Sequence, residues 1–231
     1  MRAVTRAIEP TPRHGATNSL AAVVPFGVRD WTVVALTAFL AWTGIAPNDR
    51  VVWILETFWV MIVIAMWFLW LRRTRCSNTV FVLVLLHSVV LIVGGMYTYT
   101  LVPAGAWVQE WMGRPRNDYD RLGHFMQGFA PALVWRETFL RNGVVAVRGW
   151  LGVLVVGMCL AFSAFFELLE FGGAILAGEP GINFLGAQGD EWDAQWDMLF
   201  CGLGALLALV LLARVQDREI ARVSAAKQQV P

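Results

Sequence analysis

Long apolar stretches, separated by short polar ones, dominate the 231-residue sequence. Six of these stretches approach the roughly 20 residues that a helix needs to cross a membrane. They cover residues 31–46, 51–71, 79–102, 119–140, 150–176 and 193–213. The first is short and the fourth is the most polar of the six. The pattern predicts an all-α, polytopic membrane protein that forms a bundle of six transmembrane helices.

The positions of Lys and Arg predict how this bundle is oriented. If the N-terminus is cytoplasmic, fourteen of the 18 Lys and Arg residues fall in segments inside the cell. Positive residues concentrate on the cytoplasmic side of membrane proteins, so both termini are expected there. The chain then divides into a polar cytoplasmic N-terminal segment at 1–29, a six-helix transmembrane domain at 30–213 and a cytoplasmic tail at 214–231. Residues 1–29 contain no long apolar core, and we expect no signal peptide.

Composition narrows the class of protein further. Hydrophobic residues make up 58% of the chain and charged residues 15%, which is typical of an integral membrane protein and not of a soluble domain. The net charge is +1 and the basic residues are scattered, so a nucleic-acid partner is not expected. Cys76, Cys159 and Cys201 lack the spacing of a disulfide framework or a zinc site. The expected partners are membrane lipids.

Acidic residues gather at one end of the last three apolar segments. In the predicted orientation that end faces the periplasm, and the acids there are Asp118, Asp120, Glu167, Glu170, Asp190, Glu191, Asp193 and Asp197. A carboxylate inside a membrane costs about 2.5 to 3.5 kcal/mol on insertion scales, unless water, a partner or a cation accompanies it. Glu167 and Glu170 lie within an otherwise apolar segment, which favours a functional or cation-linked role. The sequence therefore predicts an acidic site near the outer face.

The spacing of these residues places them on narrow helical faces. Residues three or four positions apart share one face of a helix. The polar stripes consist of Asp120, His124 and Gln127, of Ser163, Glu167 and Glu170, and of Asp190 or Asp193 followed by Asp197. Polar stripes inside a membrane bundle face one another and not the lipid. We therefore expect the three stripes to converge.

Converging carboxylates need neutralisation, either by a cation or by protons. One imidazole with several carboxylates suits a divalent metal ion, namely Mg²⁺, Mn²⁺ or Ca²⁺, with Zn²⁺ as a further candidate. The predicted metal ligands are Asp120, His124, Glu167, Asp193 and Asp197. Glu170 and Gln188 are expected around them, and Glu167 or Glu170 is the predicted catalytic general base toward a metal-bound water.

Simpler explanations exist for several of these residues. Asp190 or Asp193 can cap the helix that follows, because acidic side chains favour helix N-termini. Glu56 can reach the outer site or remain solvated among lipid headgroups. Candidate ion pairs join Asp120 to Arg116 or Arg121, Asp118 to Arg114, and Glu137 to its neighbour Arg136.

Several motifs resemble the YjdF-like family of bacterial inner-membrane proteins. They are NDYDRLGHF at 117–125, QGF at 127–129, RE at 136–137, FELLE at 166–170 and FLGAQGDEWDAQWDM at 184–198. The resemblance implies a polytopic protein of the bacterial inner membrane and no particular activity. The order of an Asp-basic-x-x-His-Phe motif, an intramembrane Glu and an Asp before a Gly-containing helix is also remotely similar to the VanZ-like membrane proteins.

Three classes of function fit the predicted site. The leading hypothesis is a metal-dependent hydrolase or transferase that acts on a lipid or lipid-linked headgroup. A cation- or proton-coupled transporter ranks second, because no repeat relates the two halves and Glu137 is the one acid in the cytoplasmic half of the last three segments. The third is a structural or regulatory membrane protein held together by the acidic cluster.

Residues 102–118 are expected to lie along the outer interface, and 177–192 to form an irregular loop over the site.

Overall fold

The computed structural model describes residues 26–74, 76–177 and 186–228. Within these ranges the chain forms seven α-helices and no strand, so the prediction of an all-α protein is confirmed. The helices are α1 Val28–Thr43, α2 Arg50–Leu69, α3 Asn78–Tyr97, α4 Pro103–Met112, α5 Tyr119–Arg141, α6 Leu151–Ala177 and α7 Asp193–Gln228. Short 3₁₀ turns at Leu71–Arg73 and Arg148–Trp150 follow α2 and precede α6.

Four of the described helices are long and apolar enough to cross a membrane. They are α2, α3, α6 with its preceding turn, and the Asp193–Val223 part of α7. Helix α1 has only 16 residues, and α5 carries charged side chains at both of its ends. The predicted count of six spans and the predicted orientation of the termini are therefore not supported by the lengths and compositions of the helices.

Local sequence explains where several helices begin and end. The Asp49 carboxylate accepts hydrogen bonds from the first free N–H groups of α2, and the Ser77 hydroxyl does the same for α3. Pro103 occupies the first turn of α4, where its missing N–H costs nothing. Gly113 ends α4 in the left-handed region at φ +62°, a conformation that favours glycine.

Helix α5 lies at the centre of the bundle and packs against α3, α6 and α7. Twelve of its residues are buried, and they include charged and polar side chains at both ends. Because neighbouring helices surround it, α5 does not need an apolar surface toward lipid. Its position explains why this helix is the most polar of the predicted segments.

Helices α5 and α7 pack closely over much of their lengths. A Cβ atom at Gly128 of α5 would overlap the carbonyl oxygen of Cys201, and one at Gly204 of α7 would overlap the carbonyl oxygen of Phe125. Small residues allow helix backbones to approach in this way. The two glycines thus fix the contact that carries the polar ends of α5 and α7 side by side.

Arg136 connects α5 to α7 at the C-terminal end of α5. Its Nη1 donates to Oε1 of Gln216 at 2.9 Å, and its Nη2 lies 2.7 Å from Oδ1 of Asp217. Gln216 is fully buried and donates to the carbonyl oxygen of Leu133 at 2.7 Å. Helix α7 continues without a break through the predicted domain boundary between residues 213 and 214.

The sequence predicted an ion pair between Glu137 and Arg136, but the two residues have other partners. Consecutive side chains on a helix point in different directions. The Glu137 carboxylate lies 2.7 Å from Nη2 of Arg141, one turn away, and accepts a hydrogen bond from the backbone N–H of Ser77 at 3.0 Å. Arg136, Glu137, Arg141, Gln216 and Asp217 are called the Arg136 cluster below. In this cluster each charged side chain has a partner of opposite charge.

Helix α4 lies within the segment that was expected at the outer interface. Trp107 and Trp111 are exposed, whereas Gly105 is buried and faces Asn117. Of the predicted loop at 177–192, residues 178–185 lie outside the described residues. Residues 186–192 are non-helical, and Gln188 has a positive φ of 49°.

Candidate functional site

The N-terminal end of α5 places Asp120 and His124 one turn apart on the same helical face. The start of α5 is fixed by Asn117, whose side chain accepts a hydrogen bond from the backbone N–H of Tyr119 at 3.0 Å. Helix α6 brings Glu167 to this face, and the first turns of α7 bring Asp197. The three predicted polar stripes thus meet at a few residues: Asp120 and His124 of the first, Glu167 of the second and Asp197 of the third.

The distances define a compact group of ligand atoms. Nε2 of His124 lies 3.7 Å from Oδ1 of Asp120 and 3.5 Å from Oε1 of Glu167. One ligand atom each from Asp120, His124 and Asp197 lie within 4.8 Å of one another. The exposed fractions of these three residues are 6%, 4% and 1%, so bulk water does not solvate them. Asp120, His124, Glu167 and Asp197 are called the carboxylate–histidine cluster below.

Two polar atoms of this cluster are buried without a hydrogen-bond partner among the described residues. They are Oδ1 of Asp197 and Oε1 of Glu167. A buried polar atom without a partner costs about 1 to 3 kcal/mol, and more when it is charged. Such atoms accumulate where a bound cation, ordered water or protons complete the interactions.

Asp193 was predicted as a metal ligand but lies outside the compact group. Its carboxylate accepts a short hydrogen bond from Nη1 of Arg116, whose side chain is buried. Burial by itself lowers the pKa of the Arg116 guanidinium, but the hydrogen bond to Asp193 and the nearby charges of Asp120 and Asp197 more than offset it and raise the pKa. Arg116 therefore stays positively charged beside the cluster.

Asp118 and Asp190 pair with the arginines that lie beside the cluster. Asp118 pairs with Arg114 at 2.8 Å, as the sequence predicted, and also with Arg121 at 3.0 Å. Asp190 lies 2.8 Å from Nη2 of Arg121 and 3.4 Å from Nη1 of Arg116. It also accepts a hydrogen bond at 3.0 Å from the backbone N–H of Trp192, the residue just before α7.

Two further glutamates extend the acidic region. Glu170 is 3% exposed and Glu56 is 4% exposed, and both lie within electrostatic range of Asp120. Glu56 is hydrogen-bonded to Tyr99. The sequence left Glu56 ambiguous because helix α2 shows no second acid that would mark its polar face. Glu170 lies one turn beyond Glu167 and is not part of the compact group of ligand atoms.

Gln188 was expected near the metal ligands and instead joins two loops. Its side chain accepts a hydrogen bond from the backbone N–H of Asn117 at 3.1 Å and donates to the Asn117 carbonyl oxygen at 2.9 Å. Through this pair, the segment before α7 is attached to the segment before α5. Gln188 therefore helps to align the two helices that supply Asp120 and Asp197.

An apolar crevice of about 930 Å³ opens beside the cluster. Glu56, Asp120 and His124 line one end, and Glu137 and Arg141 line the other. Between these ends the walls are formed mainly by apolar side chains of α2, α3 and α5. Hydropathy patterns did not indicate the crevice, since it depends on how the helices pack and not on any one of them.

The fold and site define an all-α, multi-pass membrane protein with buried ionisable residues at both ends of its central helix and a cluster of carboxylates and a histidine at one of them. The chain belongs to the family described as "Predicted membrane protein (DUF2238)", which matches residues 29–218. This agrees with the resemblance noted from the motifs.

The chain is also similar to "Inner membrane protein YjdF" of Escherichia coli (strain K12). The two are 43% identical over 191 residues, which cover 83% of this chain and 91% of that protein. The family, this relative and the apolar helices together identify a multi-pass protein of the inner membrane. No solved structure matches the chain significantly, and the remote similarity to VanZ-like proteins is not shown by these comparisons.

Proposed function

We propose that the carboxylate–histidine cluster binds a divalent metal ion and that the protein is a membrane hydrolase or transferase. One observation carries this proposal: buried ligand atoms of Asp120, His124 and Asp197 lie within 4.8 Å of one another, and Oδ1 of Asp197 has no hydrogen-bond partner. Two carboxylates and an imidazole suit Mg²⁺, Mn²⁺, Ca²⁺ or Zn²⁺.

Each residue has a definite role in this proposal. Asp120, His124 and Asp197 hold the metal, and Glu167, 3.5 Å from the imidazole, is the general base. A divalent metal held there would supply Lewis-acid chemistry that lowers the pKa of a water beside it. Glu167 would accept the water proton as the water oxygen bonds to the electrophilic centre of the headgroup. Protonated Glu167 would then return that proton to the leaving oxygen, which departs with the electron pair of the broken bond.

The proposed substrate is a lipid or a lipid-linked headgroup. Support comes from the apolar crevice, because Asp120 and His124 line both the crevice and the cluster. A lipid can therefore place its headgroup at the cluster while its chain remains among apolar side chains.

The proposal includes a membrane topology for the whole chain. Helices α1 and α5 also cross the membrane, both termini are cytoplasmic and the cluster faces the periplasm. Three other helices surround α5, so its polar side chains can face protein and not lipid while the helix crosses the membrane. The bias of Lys and Arg toward one side supports the orientation. Labelling of single cysteines introduced at Thr100 and at Asn142, with a reagent that does not cross membranes, tests it.

Metal binding is tested on protein purified in detergent without added metal. We expect one equivalent of a divalent ion by elemental analysis, or a rise in thermal stability when Mg²⁺, Mn²⁺, Ca²⁺ or Zn²⁺ is added. Asp120→Asn should remove both signals. The matched control is Glu110→Gln, which neutralises an exposed acid of α4 near the same end of the molecule. Protein that contains no metal and responds to none of the four ions would contradict the proposal.

Catalysis is tested separately with Glu167→Gln. This variant should bind the metal but lose hydrolysis or transfer of the headgroup, because the amide cannot accept the water proton. Normal activity in Glu167→Gln would remove Glu167 from the mechanism. A variant that fails to fold would favour the third hypothesis, in which the cluster holds the helices together.

A cation- or proton-coupled transporter is the second candidate, and the extent of the crevice favours it. The crevice reaches from Asp120 to Glu137, so it passes most of the length of α5. Its walls are mainly apolar, however, which suits a hydrocarbon chain better than an ion. Proton or cation flux into reconstituted vesicles that disappears in Asp197→Asn would establish transport.

A further inference from the structure

A buried arginine beside the cluster has donors that none of the described residues accepts. Arg116 is 6% exposed. Its Nη1 reaches the carboxylates of Asp193 and Asp190, but its Nη2 is buried without a hydrogen-bond partner. Its Nε lies 3.6 Å from the Asp118 carboxylate and also makes no hydrogen bond. A guanidinium has five N–H donors in a planar fork, and at this site part of the fork is unused.

Arg121 has a similar unused donor on the same side of the site. Its Nη1 and Nη2 pair with Asp118 and Asp190, while its Nε is buried and has no hydrogen-bond partner in the described parts of the chain. The guanidinium also lies 5.6 Å from the centre of the Trp196 ring. Two partly unsatisfied guanidinium groups thus border a region that otherwise contains carboxylates.

The Arg116 side chain connects to the helix that supplies Asp197 through its hydrogen bond to Asp193. Arg116 lies within electrostatic range of Asp120 and Asp197. Guanidinium groups bind phosphate oxygens through parallel N–H donors, and a divalent metal neutralises phosphate charge. An anion at this position would accept hydrogen bonds from the unused donors of Arg116. A divalent metal held by the cluster would offset the repulsion between that anion and the carboxylates.

The apolar crevice restricts what this anion is attached to. On α2 it extends from Glu56 to Trp67, which corresponds to about 16 Å along a helix. The hydrocarbon core of a bilayer is about 30 Å thick and contains two leaflets, so the crevice is long enough for a lipid chain of one leaflet. Its polar end meets Asp120 and His124.

We infer that this site binds a lipid with a phosphate-bearing headgroup, with the phosphate at Arg116 and the metal-binding residues and one hydrocarbon chain in the crevice. This inference rests on the proposed function and narrows its substrate to lipid phosphates. Arg116 is the residue that recognises the phosphate, and Arg121 supplies a second donor.

The experiment compares three probes on the full-length protein in detergent, with Mn²⁺ and with a chelator. The probes are phosphatidic acid, diacylglycerol with the same chains, and inorganic phosphate. Native mass spectrometry and thermal stability report binding. We expect phosphatidic acid to bind at least about tenfold more tightly than diacylglycerol, since it adds charge-assisted hydrogen bonds. Inorganic phosphate should bind weakly, because it leaves the crevice empty.

Two pairs of variants locate the headgroup and the chain. Arg116→Lys keeps the charge that faces Asp193 but lacks the planar fork, and it should weaken phosphatidic acid binding about tenfold. The control is Arg114→Lys, at an exposed ion pair. Val84→Phe fills the crevice and should weaken lipid binding. Val82→Phe makes the same change on an exposed face of α3 and should not.

The outcomes separate this inference from the proposed function. Equal binding of diacylglycerol and phosphatidic acid overturns the phosphate assignment, and equal binding of inorganic phosphate overturns the chain in the crevice. Metal binding without any lipid binding overturns this inference alone. Binding of phosphatidic acid that depends on Arg116 but needs no metal supports the phosphate assignment and contradicts the metal site.

Discussion

The two ends of α5 both bury charged side chains, but they satisfy them differently. In the Arg136 cluster, Arg136 contacts Asp217 at 2.7 Å and Arg141 contacts Glu137 at 2.7 Å. In the carboxylate–histidine cluster, the nearest basic group to Asp120 and Glu167 is the imidazole of His124, at 3.7 and 3.5 Å. Within the described ranges, Oδ1 of Asp197 and Oε1 of Glu167 have no hydrogen-bond partner.

The difference distinguishes a structural contact from a candidate binding site. A buried ion pair with all its partners present holds helices in one arrangement. A group of buried carboxylates without partners destabilises the ligand-free protein and persists where a ligand or protons compensate. The two ends should therefore respond oppositely when one charge is removed.

Glu137→Ala should produce the largest loss of stability. The substitution removes the carboxylate that contacts Arg141 and leaves the buried backbone N–H of Ser77 without an acceptor. Breaking such a pair costs about 3 to 5 kcal/mol, which thermal unfolding in detergent measures. Thr138→Ala, at the next and exposed position, is the control and should change stability by less than about 0.5 kcal/mol. Equal stability of both variants would mean that the Arg136 cluster is not a structural contact.

Asp197→Asn should have the opposite effect on the metal-free protein. Replacing one buried carboxylate whose Oδ1 has no hydrogen-bond partner among the described residues should leave stability unchanged or raise it, since fewer acidic groups remain to be neutralised. The variant should lose the gain from added metal, which is about 2.7 kcal/mol at a metal concentration 100 times the Kd. Unfolding curves with a chelator and with Mn²⁺ give both values. A loss with the chelator as large as that of Glu137→Ala would erase the distinction between the two ends.

Gly128→Ala tests whether the close packing of α5 on α7 positions both clusters. The added Cβ overlaps the carbonyl oxygen of Cys201, and overpacking of this kind costs about 1 to 3 kcal/mol. Metal binding should weaken as well, because Asp120 and Asp197 lie on the two helices that separate. Gly157→Ala, where a Cβ meets no atom within 4 Å, should be neutral or stabilising by up to about 1 kcal/mol. Full metal affinity in Gly128→Ala would show that the crossing does not control the site.

Several features followed from the sequence because they depend on local spacing. Asp120 and His124 are four residues apart, so any helix through them brings both to one face. Glu167 interrupts an apolar segment, which identified it before its neighbours were known. The apolar segments also predicted helices at each of the six positions, although two of these helices do not meet the length and composition of a membrane span.

Other features required the packing of distant segments. Arg116 was one of two candidate partners of Asp120, yet it is hydrogen-bonded to Asp193, 77 residues away. Glu56 became part of the acidic region only when α2 was placed beside Asp120. Gln188 contacts the backbone of Asn117, 71 residues away, and no periodic pattern reports such a contact.

The sequence alone determined that this is a helical membrane protein with acids and one histidine on matching helical faces. These properties depend on hydropathy and on positions three or four residues apart, which are local. Only the tertiary structure decided which carboxylates receive an arginine and which remain without a partner. That choice depends on how closely α5 and α7 cross and on which loops meet above them, since a salt bridge needs its two groups within a few ångströms.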